Sequence, residues 1–359
     1  MKNWLNDFRY LSGYSIAIVS YFALTFPHYF AFGTTIYAFV LIPLFEHFIP
    51  FTDKNYNELE ESYVAKKSRY DYFLWLSVPI QWGIVLYFLM LVSQNSYSAL
   101  QLIGMTSAVG VCSGVLGINV AHELGHRSNK LEQFFSQLLL LSSLYLHFFV
   151  EHNHGHHRYV ATPNDPATAR LNENVYRFLL RSMRDGYVSA WHIQTGILKK
   201  QHISFFSLRN TMLLFQIAQI LLMVLILILF GIKATLLFIA SAFIGIILLE
   251  IINYIEHYGL LRKEVKLGVY EKVQPWHSWN SDHVFGRVFL FELTRHSDHH
   301  YKASRKYQVL RHFEESPQLP SGYPAMMLVS LSPSMWFREM NPRVQAIQTP
   351  SLKTSREDA

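Results

Sequence analysis

The sequence has little cysteine and little charge. Cys112 is the only cysteine among 359 residues, which excludes an intrachain disulfide, a cysteine-based zinc site and an iron–sulfur centre within this chain. Any electron carrier of that kind must therefore be a separate protein. Only 16% of the residues are charged, whereas 51% are hydrophobic and 15% are aromatic. Because soluble proteins of this length carry more charge, the composition predicts a membrane protein.

The hydrophobic residues gather into six runs, each long enough to cross a bilayer core, which requires about 20 helical residues. We therefore predict an all-α membrane protein with a bundle of six transmembrane helices. The predicted spans are Tyr10–Phe26, Ala31–Pro50, Tyr72–Ser93, Ala99–Ala121, Thr211–Phe230 and Ala234–Ile255. A seventh stretch, Leu131–Val150, begins with polar residues and leads into a histidine group. We interpret it as a buried or membrane-lying helix.

The basic residues predict the orientation, because cytoplasmic loops are enriched in lysine and arginine. Six spans with both ends inside leave only Lys233, of 31 basic residues, on the outer side. This pattern explains the net charge of +6, so we expect lipid headgroups and an acidic protein as partners and no nucleic acid. We expect residues 1–345 to form one domain with a cytoplasmic helical cap, and residues 346–359 to form a polar tail.

Histidine is abundant, and half of the 18 histidines fall into four compact groups. Histidines four residues apart share a helix face, so each such pair is expected to converge on one point. The pairs are His122 with His126, His152 with His156, and His296 with His300; His157 and His299 are turned towards a second point, and His257 stands alone. Nine imidazoles exceed the ligands that one zinc ion accepts, which favours two metals.

The other histidines are better explained as hydrogen-bonded interior residues. They are His28, His47, His147, His192, His202, His277, His283 and His312. His154 lies two residues from both His152 and His156, which turns it away from their face. We leave it out of the predicted ligand set.

Four strings carry a resemblance to a known family. They are His122-Glu-Leu-Gly-His126-Arg127, Glu151-His152-Asn-His154-Gly155-His156-His157, Asn253-Tyr-Ile-Glu256-His257-Tyr-Gly-Leu260 and Leu293-Thr-Arg295-His296-Ser-Asp298-His299-His300. With Asp165-Pro-Ala-Thr168, Ser278-Trp-Asn-Ser281 and Leu319-Pro-Ser-Gly-Tyr-Pro324, they resemble the membrane alkane 1-monooxygenases over nearly the whole chain. The string around His257 separates this family from the wider desaturase and hydroxylase superfamily.

The resemblance implies a non-haem di-iron enzyme of the bacterial inner membrane, with its active site and both termini in the cytoplasm. It implies that the nine grouped histidines hold two irons without a bridging carboxylate. The implied reaction uses O2 to hydroxylate medium- to long-chain n-alkanes to primary alcohols. Electrons would come from NADH through a rubredoxin reductase and a rubredoxin, for which Arg158, Arg177 and Arg295 are candidate docking residues.

Polar residues beside the ligands are candidates to orient them, because metal-bound imidazoles usually donate their second N–H to a carboxylate or carbonyl. These residues are Glu123, Glu151, Asn253, Glu256 and Asp298. Terminal selectivity for an alkane requires a narrow apolar tunnel. Tyr37, Ala38 and Phe39 in the second span are candidates for its wall.

Three alternatives use the same residues. A fatty-acyl desaturase or hydroxylase of the same superfamily would share the metals but take a functionalised chain. A membrane zinc protease would use His122 and His126 as ligands and Glu123 as the base, which leaves seven grouped histidines unexplained. A metal transporter would place its site near the bilayer midplane, whereas these histidines lie at one end of the spans.

Overall fold

The computed structural model describes residues 4–49 and 51–348, and this part of the chain is mainly helical. A short antiparallel hairpin pairs strand Glu264–Lys266 with strand Val269–Tyr270. The α-helices are Ser15–Thr25, Pro27–Phe30, Gly33–Ile36, Ile42–Phe48, Glu58–Ala65, Arg69–Trp75, Ser77–Gln94, Ala99–Cys112, Asn119–Gly125, Lys130–Leu141, His147–Glu151, His157–Tyr159, Val175–Lys200, Thr211–His257, Val284–Phe289, His296–Tyr301, Tyr323–Ser330 and Pro333–Gln348. The 3-10 helices are Trp4–Tyr14, Pro275–His277 and Tyr307–Val309. The π-helical segments are Tyr37–Leu41, Ser113–Ile118 and His152–His156.

Within residues 4–49 and 51–348, four helical stretches are long and apolar enough to cross a membrane. They are Pro27–Phe48, Arg69–Gln94, Ala99–Gly125 and Thr211–His257, and short π-helical or turn segments interrupt some of them. They coincide with the second to sixth predicted spans. Leu221, Ile228 and Leu229 are more than half exposed on the last stretch. Such surfaces are stable only against lipid or another protein, which agrees with a membrane protein.

The last stretch is a hairpin of two helices. Gly231 interrupts it with φ 78° and ψ 173°, a conformation that essentially only glycine adopts. Gln219 Oε1 accepts a hydrogen bond from Leu146 N at 3.1 Å, and Tyr145 OH donates to Glu250 Oε1 at 2.5 Å. In one straight helix positions 219 and 250 would lie about 46 Å apart. Because both reach neighbouring residues, the chain must reverse between them.

Three expectations need correction or limits. The run Tyr10–Phe26 is not one α-helix, because Trp4–Tyr14 is a 3-10 helix and the α-helix Ser15–Thr25 has only 11 residues. The stretch Leu131–Val150 contains a helix of 12 residues, Lys130–Leu141, about 18 Å long and too short to span. The predicted tail starts too early, since helix Pro333–Gln348 includes residues 346–348. Pro50 and residues 349–359 lie outside the described residues.

A buried ion-pair network fixes the chain just before the third histidine group. Glu292 accepts hydrogen bonds from Arg287 Nε at 2.6 Å, Arg9 Nη2 at 2.8 Å and Tyr10 OH at 2.7 Å. Burial alone raises the pKa of Glu292, but the two guanidinium groups outweigh it and hold this pKa at about 2. The N-terminal helix is thereby tied to the segment that leads into His296.

We predict that Gly231→Ala destabilises the protein by about 1–3 kcal/mol, because alanine must adopt a backbone conformation reserved for glycine. Gly83→Ala is the matched control, since Gly83 lies inside helix Ser77–Gln94 and no atom lies within 4 Å of an added Cβ at either position. The control should be neutral or slightly stabilising. Thermal unfolding of both variants in the same detergent measures the difference. Equal melting temperatures would contradict a chain reversal at Gly231.

Candidate metal centre

The nine histidines predicted as ligands converge in two adjacent groups. In each group, one ring nitrogen from every member lies within 4.8 Å of those of the others. The five-histidine group contains His122, His126, His152, His157 and His299. The four-histidine group contains His156, His257, His296 and His300. His154 is exposed and belongs to neither group.

The π-helical turn at His152–His156 decides how the second histidine string is divided. The sequence analysis expected His152 and His156 to converge, and this pairing is wrong. The His157 N–H bonds to the His152 carbonyl five residues back, so residues five apart, rather than four, are aligned along this turn. His152 Nε2 accordingly lies 3.0 Å from His157 Nε2, while His156 turns to His300 at 3.2 Å.

The other strings follow ordinary α-helical spacing. His122 lies in the last turn of helix Asn119–Gly125, and His126 follows at its end, in the same group. His296 and His300 lie one turn apart, with their Nε2 atoms 2.9 Å apart. His299 points to the other group and lies 3.1 Å from His157. These placements agree with the sequence expectation.

The short distances between ring nitrogens are explained better by bound metal ions than by hydrogen bonds between the rings. His296 Nε2 lies 3.1 Å from His257 Nε2, 2.9 Å from His300 Nε2 and 3.2 Å from Glu256 Oε2. A neutral ring nitrogen carries at most one proton and cannot satisfy three such neighbours. Nitrogens bound at about 2.1 Å and at right angles around one ion lie about 3.0 Å apart. His122 Nε2, moreover, is buried without a hydrogen-bond partner among the described residues.

Burial keeps most of the rings in the form that binds metal. Desolvation, aided by neighbouring imidazoles, holds the pKa of His152, His157 and His300 well below the usual range, and it lowers the pKa of His299 to about 3. These rings are therefore unprotonated at neutral pH, as metal ligation requires. His156 differs: burial lowers its pKa, but the Asp165 carboxylate outweighs burial and raises it.

Asp165 orients His156 and was missed as a site residue. Its Oδ2 accepts from His156 Nδ1 at 3.0 Å and from Thr168 Oγ1 at 2.6 Å. This is the usual outer contact of a ligating histidine, which fixes the tautomer and the direction of the ring. The string Asp165-Pro-Ala-Thr168 carried the family resemblance, and that string was the available signal.

The polar residues predicted to orient the ligands behave differently from one another. Glu256 lies beside His296 Nε2, the nitrogen that converges with His257 and His300, and not beside Nδ1, where an orienting hydrogen bond would form. Glu123 instead accepts from Arg127 Nη2 at 2.6 Å, and Asp298 pairs with Arg305 and Arg311. Glu151 and Asn253 line a small polar cavity beside His152 and His156, and Glu151 accepts from Ser189 at 3.4 Å.

Two further expectations are wrong in part. Arg295 is 3% exposed and donates to the Leu310 and Lys54 carbonyls, so it is not available for docking a partner. The isolated histidines join neither group, as the sequence analysis expected. It also expected them to lie in the interior, and this is wrong for four that are exposed: His28, His47, His192 and His202.

A small apolar cavity lies among the membrane helices. Ala38 and Phe39 line it, whereas Tyr37 does not. Ile252, also on its wall, precedes His257 by five residues, about 8 Å along the helix. The cavity wall and His257 therefore share one helix and lie less than two helical turns apart along it.

Two π-helical segments form part of the cavity wall. Tyr37–Leu41 contributes Ala38 and Phe39, and Ser113–Ile118 contributes Gly114 and Val115. A π segment inserts one extra residue into a helical turn, which bulges the backbone and often marks a functional site. The small side chains at Ala38 and Gly114 leave room beside these bulges.

The family model for fatty acid desaturases matches residues 96–330. This range includes all nine grouped histidines and one wall of the apolar cavity. It is about two thirds of the chain.

Curated relatives match over more of the chain. Alkane 1-monooxygenase 2 of Alcanivorax borkumensis is 39% identical over 274 residues, which cover 76% of this chain and 70% of the relative. Alkane 1-monooxygenase 1 of Pseudomonas aeruginosa is 37% identical over 324 residues, covering 89% and 84%. The alkane 1-monooxygenase of Acinetobacter baylyi is 37% identical over 316 residues, covering 88% and 77%.

The two groups predict which histidines hold metal. His157→Ala should lower the metal content of the purified protein by about one ion per chain, because it removes a nitrogen at the centre of the five-histidine group. His154→Ala, three residues away and exposed, should retain the full content. Elemental analysis of both variants, normalised to folded protein, tests this. Equal losses would contradict the division.

Proposed function

This chain belongs to the alkane 1-monooxygenase family, and from that premise we propose that it hydroxylates the terminal carbon of medium- to long-chain n-alkanes. The product is the primary alcohol. The observation that carries the proposal is the convergence of nine buried or partly buried imidazoles in two groups, with an apolar cavity among the membrane helices nearby. An alkane has no polar handle, so its position depends on the shape of such a cavity.

We propose that the five-histidine and four-histidine groups each hold one iron. When bound, the two irons would activate O2, the co-substrate, for insertion into an unactivated C–H bond. The chain supplies the remaining requirements. Asp165 holds His156 in one tautomer, and the apolar walls exclude water and present the chain end to the centre.

The topology that fits this role has six spans, formed by the 3-10 helix Trp4–Tyr14 continued by helix Ser15–Thr25, three long helices and the hairpin at Gly231. The histidine groups, both termini and nearly all basic residues would face the cytoplasm, and the membrane would be the bacterial inner membrane. Lys233 lies in the opposite turn and donates to the Asn95 carbonyl, at the end of another span. We propose that the chain up to the end of helix Pro333–Gln348 acts as a single domain.

A rubredoxin, reduced by an NADH-dependent rubredoxin reductase, is the proposed electron donor. The single cysteine, Cys112, is fully buried, so this chain cannot hold the carrier's iron–sulfur site. Arg158 and Arg177 are exposed and could attract an acidic carrier, whereas Arg295 could not.

Glu123 argues against a zinc protease. In that enzyme its carboxylate would activate a metal-bound water. Here it is engaged by the Arg127 guanidinium and by the Tyr307 N–H at 3.2 Å, and both zinc ligands of the motif belong to a group of five.

We predict that the protein purified with iron, and supplied with NADH, rubredoxin reductase and rubredoxin, converts octane to 1-octanol. It should contain about two irons per chain, as nine ligands require. A saturated fatty acid serves as the parallel substrate, and gas chromatography identifies the products. An active sample with one zinc and no iron would contradict the proposal. Desaturation of the fatty acid with no octanol would instead favour the acyl desaturase alternative.

We predict that Ala38→Trp restricts chain length, because added bulk on the cavity wall displaces the distal end of a long alkane. Overpacking costs about 1–3 kcal/mol, which reduces hexadecane oxidation relative to octane by about tenfold. Ile36→Trp is the matched control, since Ile36 is 50% exposed and does not line the cavity. Competitive oxidation, normalised to iron content, gives the ratio. An unchanged ratio in Ala38→Trp would mean that alkane does not occupy this cavity.

A further inference from the structure

Four buried carboxylates lie around the four-histidine group without a lysine or arginine at ion-pair distance among the described residues. They are Glu151, Asp165, Glu250 and Glu256, which are 1–6% exposed. Asp165 Oδ2 lies 3.0 Å from His156 Nδ1, and Glu256 Oε2 lies 3.2 Å from His296 Nε2. Glu151 and Glu250 line the small polar cavity that also contains His156.

The five-histidine group has no comparable set. Glu123, the carboxylate next to His122, is paired with Arg127 at 2.6 Å. Asp298, next to His299, is paired with Arg305 at 3.1 Å and Arg311 at 3.2 Å. In the described part of the chain, Glu123 and Asp298 are therefore already neutralised by arginine, whereas the unpaired Glu151 borders both groups, at His152 and at His156.

Glu250 is a position at which the effect of charge on metal binding can be separated from the effect of side-chain shape. It accepts hydrogen bonds from Tyr145 OH at 2.5 Å and Ser182 Oγ at 2.6 Å, and it forms no hydrogen bond to a grouped histidine. It precedes His257 by seven residues, which places both on one helix face about 10 Å apart. Its carboxylate faces neither water nor a basic side chain, so burying its charge is costly unless another cation compensates.

We propose that the two metal positions are electrostatically inequivalent, with the unpaired carboxylates supplying counter-charge to the metal of the four-histidine group. This inference rests on the proposed function, since it requires both groups to hold metal. Neutral imidazoles provide no negative charge, so the positive charge of the ions must be balanced by other groups. Among the described residues, Asp165, Glu250 and Glu256 are unpaired carboxylates near the four-histidine group, while Glu151 borders both groups.

The proposal predicts a selective effect of charge removal. Glu250→Gln keeps the size of the side chain and one accepting oxygen, but it removes the charge and replaces the other oxygen with a donating amide nitrogen. At a separation of about 10 Å and an effective dielectric constant of about 20, this change weakens the binding of a divalent ion by tenfold or more. Glu250→Asp retains the charge and should keep most of the affinity. Tyr145→Phe removes a hydrogen bond and leaves the charge, so it controls for packing.

The experiment measures ferrous iron binding to the full-length, metal-free protein in lipid nanodiscs, under anaerobic conditions with a competing chelator. Each variant is placed in two backgrounds. His126→Ala disrupts the five-histidine group and leaves the four-histidine group complete, whereas His300→Ala does the reverse. Glu250→Gln should weaken iron binding by tenfold or more in the His126→Ala background and by a clearly smaller factor in the His300→Ala background, because the attraction between the carboxylate and the ion falls with distance.

The outcomes are distinguishable. Equal weakening in both backgrounds, no weakening in either, or the same loss in Tyr145→Phe as in Glu250→Gln would overturn the inequivalence and leave the proposed function intact. Failure of the unsubstituted protein to bind two irons would overturn the proposed function itself. If Glu250→Gln does not fold, Glu250→Asp still tests the proposal. Weakened iron binding in this variant, which retains the charge, would count against it.

Discussion

Nine converging imidazoles, seven of them buried and two partly buried, cannot all satisfy one another by hydrogen bonding, and much of the structure follows from this constraint. Ring nitrogens about 3 Å apart, such as those of His126, His152 and His157, offer fewer protons than their contacts require. The proposed metals resolve this shortage. The surrounding elements hold the rings in place through hydrogen bonds and ion pairs that reach the segments next to the ligands, including Asp165 at His156 and Glu292 before His296.

The same helices border the apolar cavity along one part of their length and carry grouped histidines at their end. Helix Thr211–His257 exposes leucine and isoleucine in its first half, lines the apolar cavity near Ile252 and ends at His257. Ala99–Gly125 likewise passes the cavity at Val115 before it reaches His122. π-helical segments occur where the helices border the cavity and where the second histidine string divides between two groups. A small local change in helical period thus sets both the space for a substrate and the ligand partition.

Hydrophobic run length and four-residue spacing predicted much of this arrangement. The long apolar helices and the convergence of His122 with His126 follow from regular helical geometry. The division at His152–His157 did not, because a π turn depends on tertiary packing and leaves no periodic signal. Asp165 was overlooked because its contact with His156 depends on how the loop after the helix folds back. Arg295 illustrates a third limit. It lies in a predicted cytoplasmic segment, but it is buried and donates to backbone carbonyls whose proximity the sequence does not reveal.

The claim that nine histidines form two sites, divided five and four, is tested most directly by locating iron itself. Anomalous diffraction at the iron edge, measured on crystals of the iron-loaded protein, would do so. We expect two peaks, one bonded to His122, His126, His152, His157 and His299, and the other to His156, His257, His296 and His300. A single peak, or a peak bonded to both His152 and His156, would contradict the account.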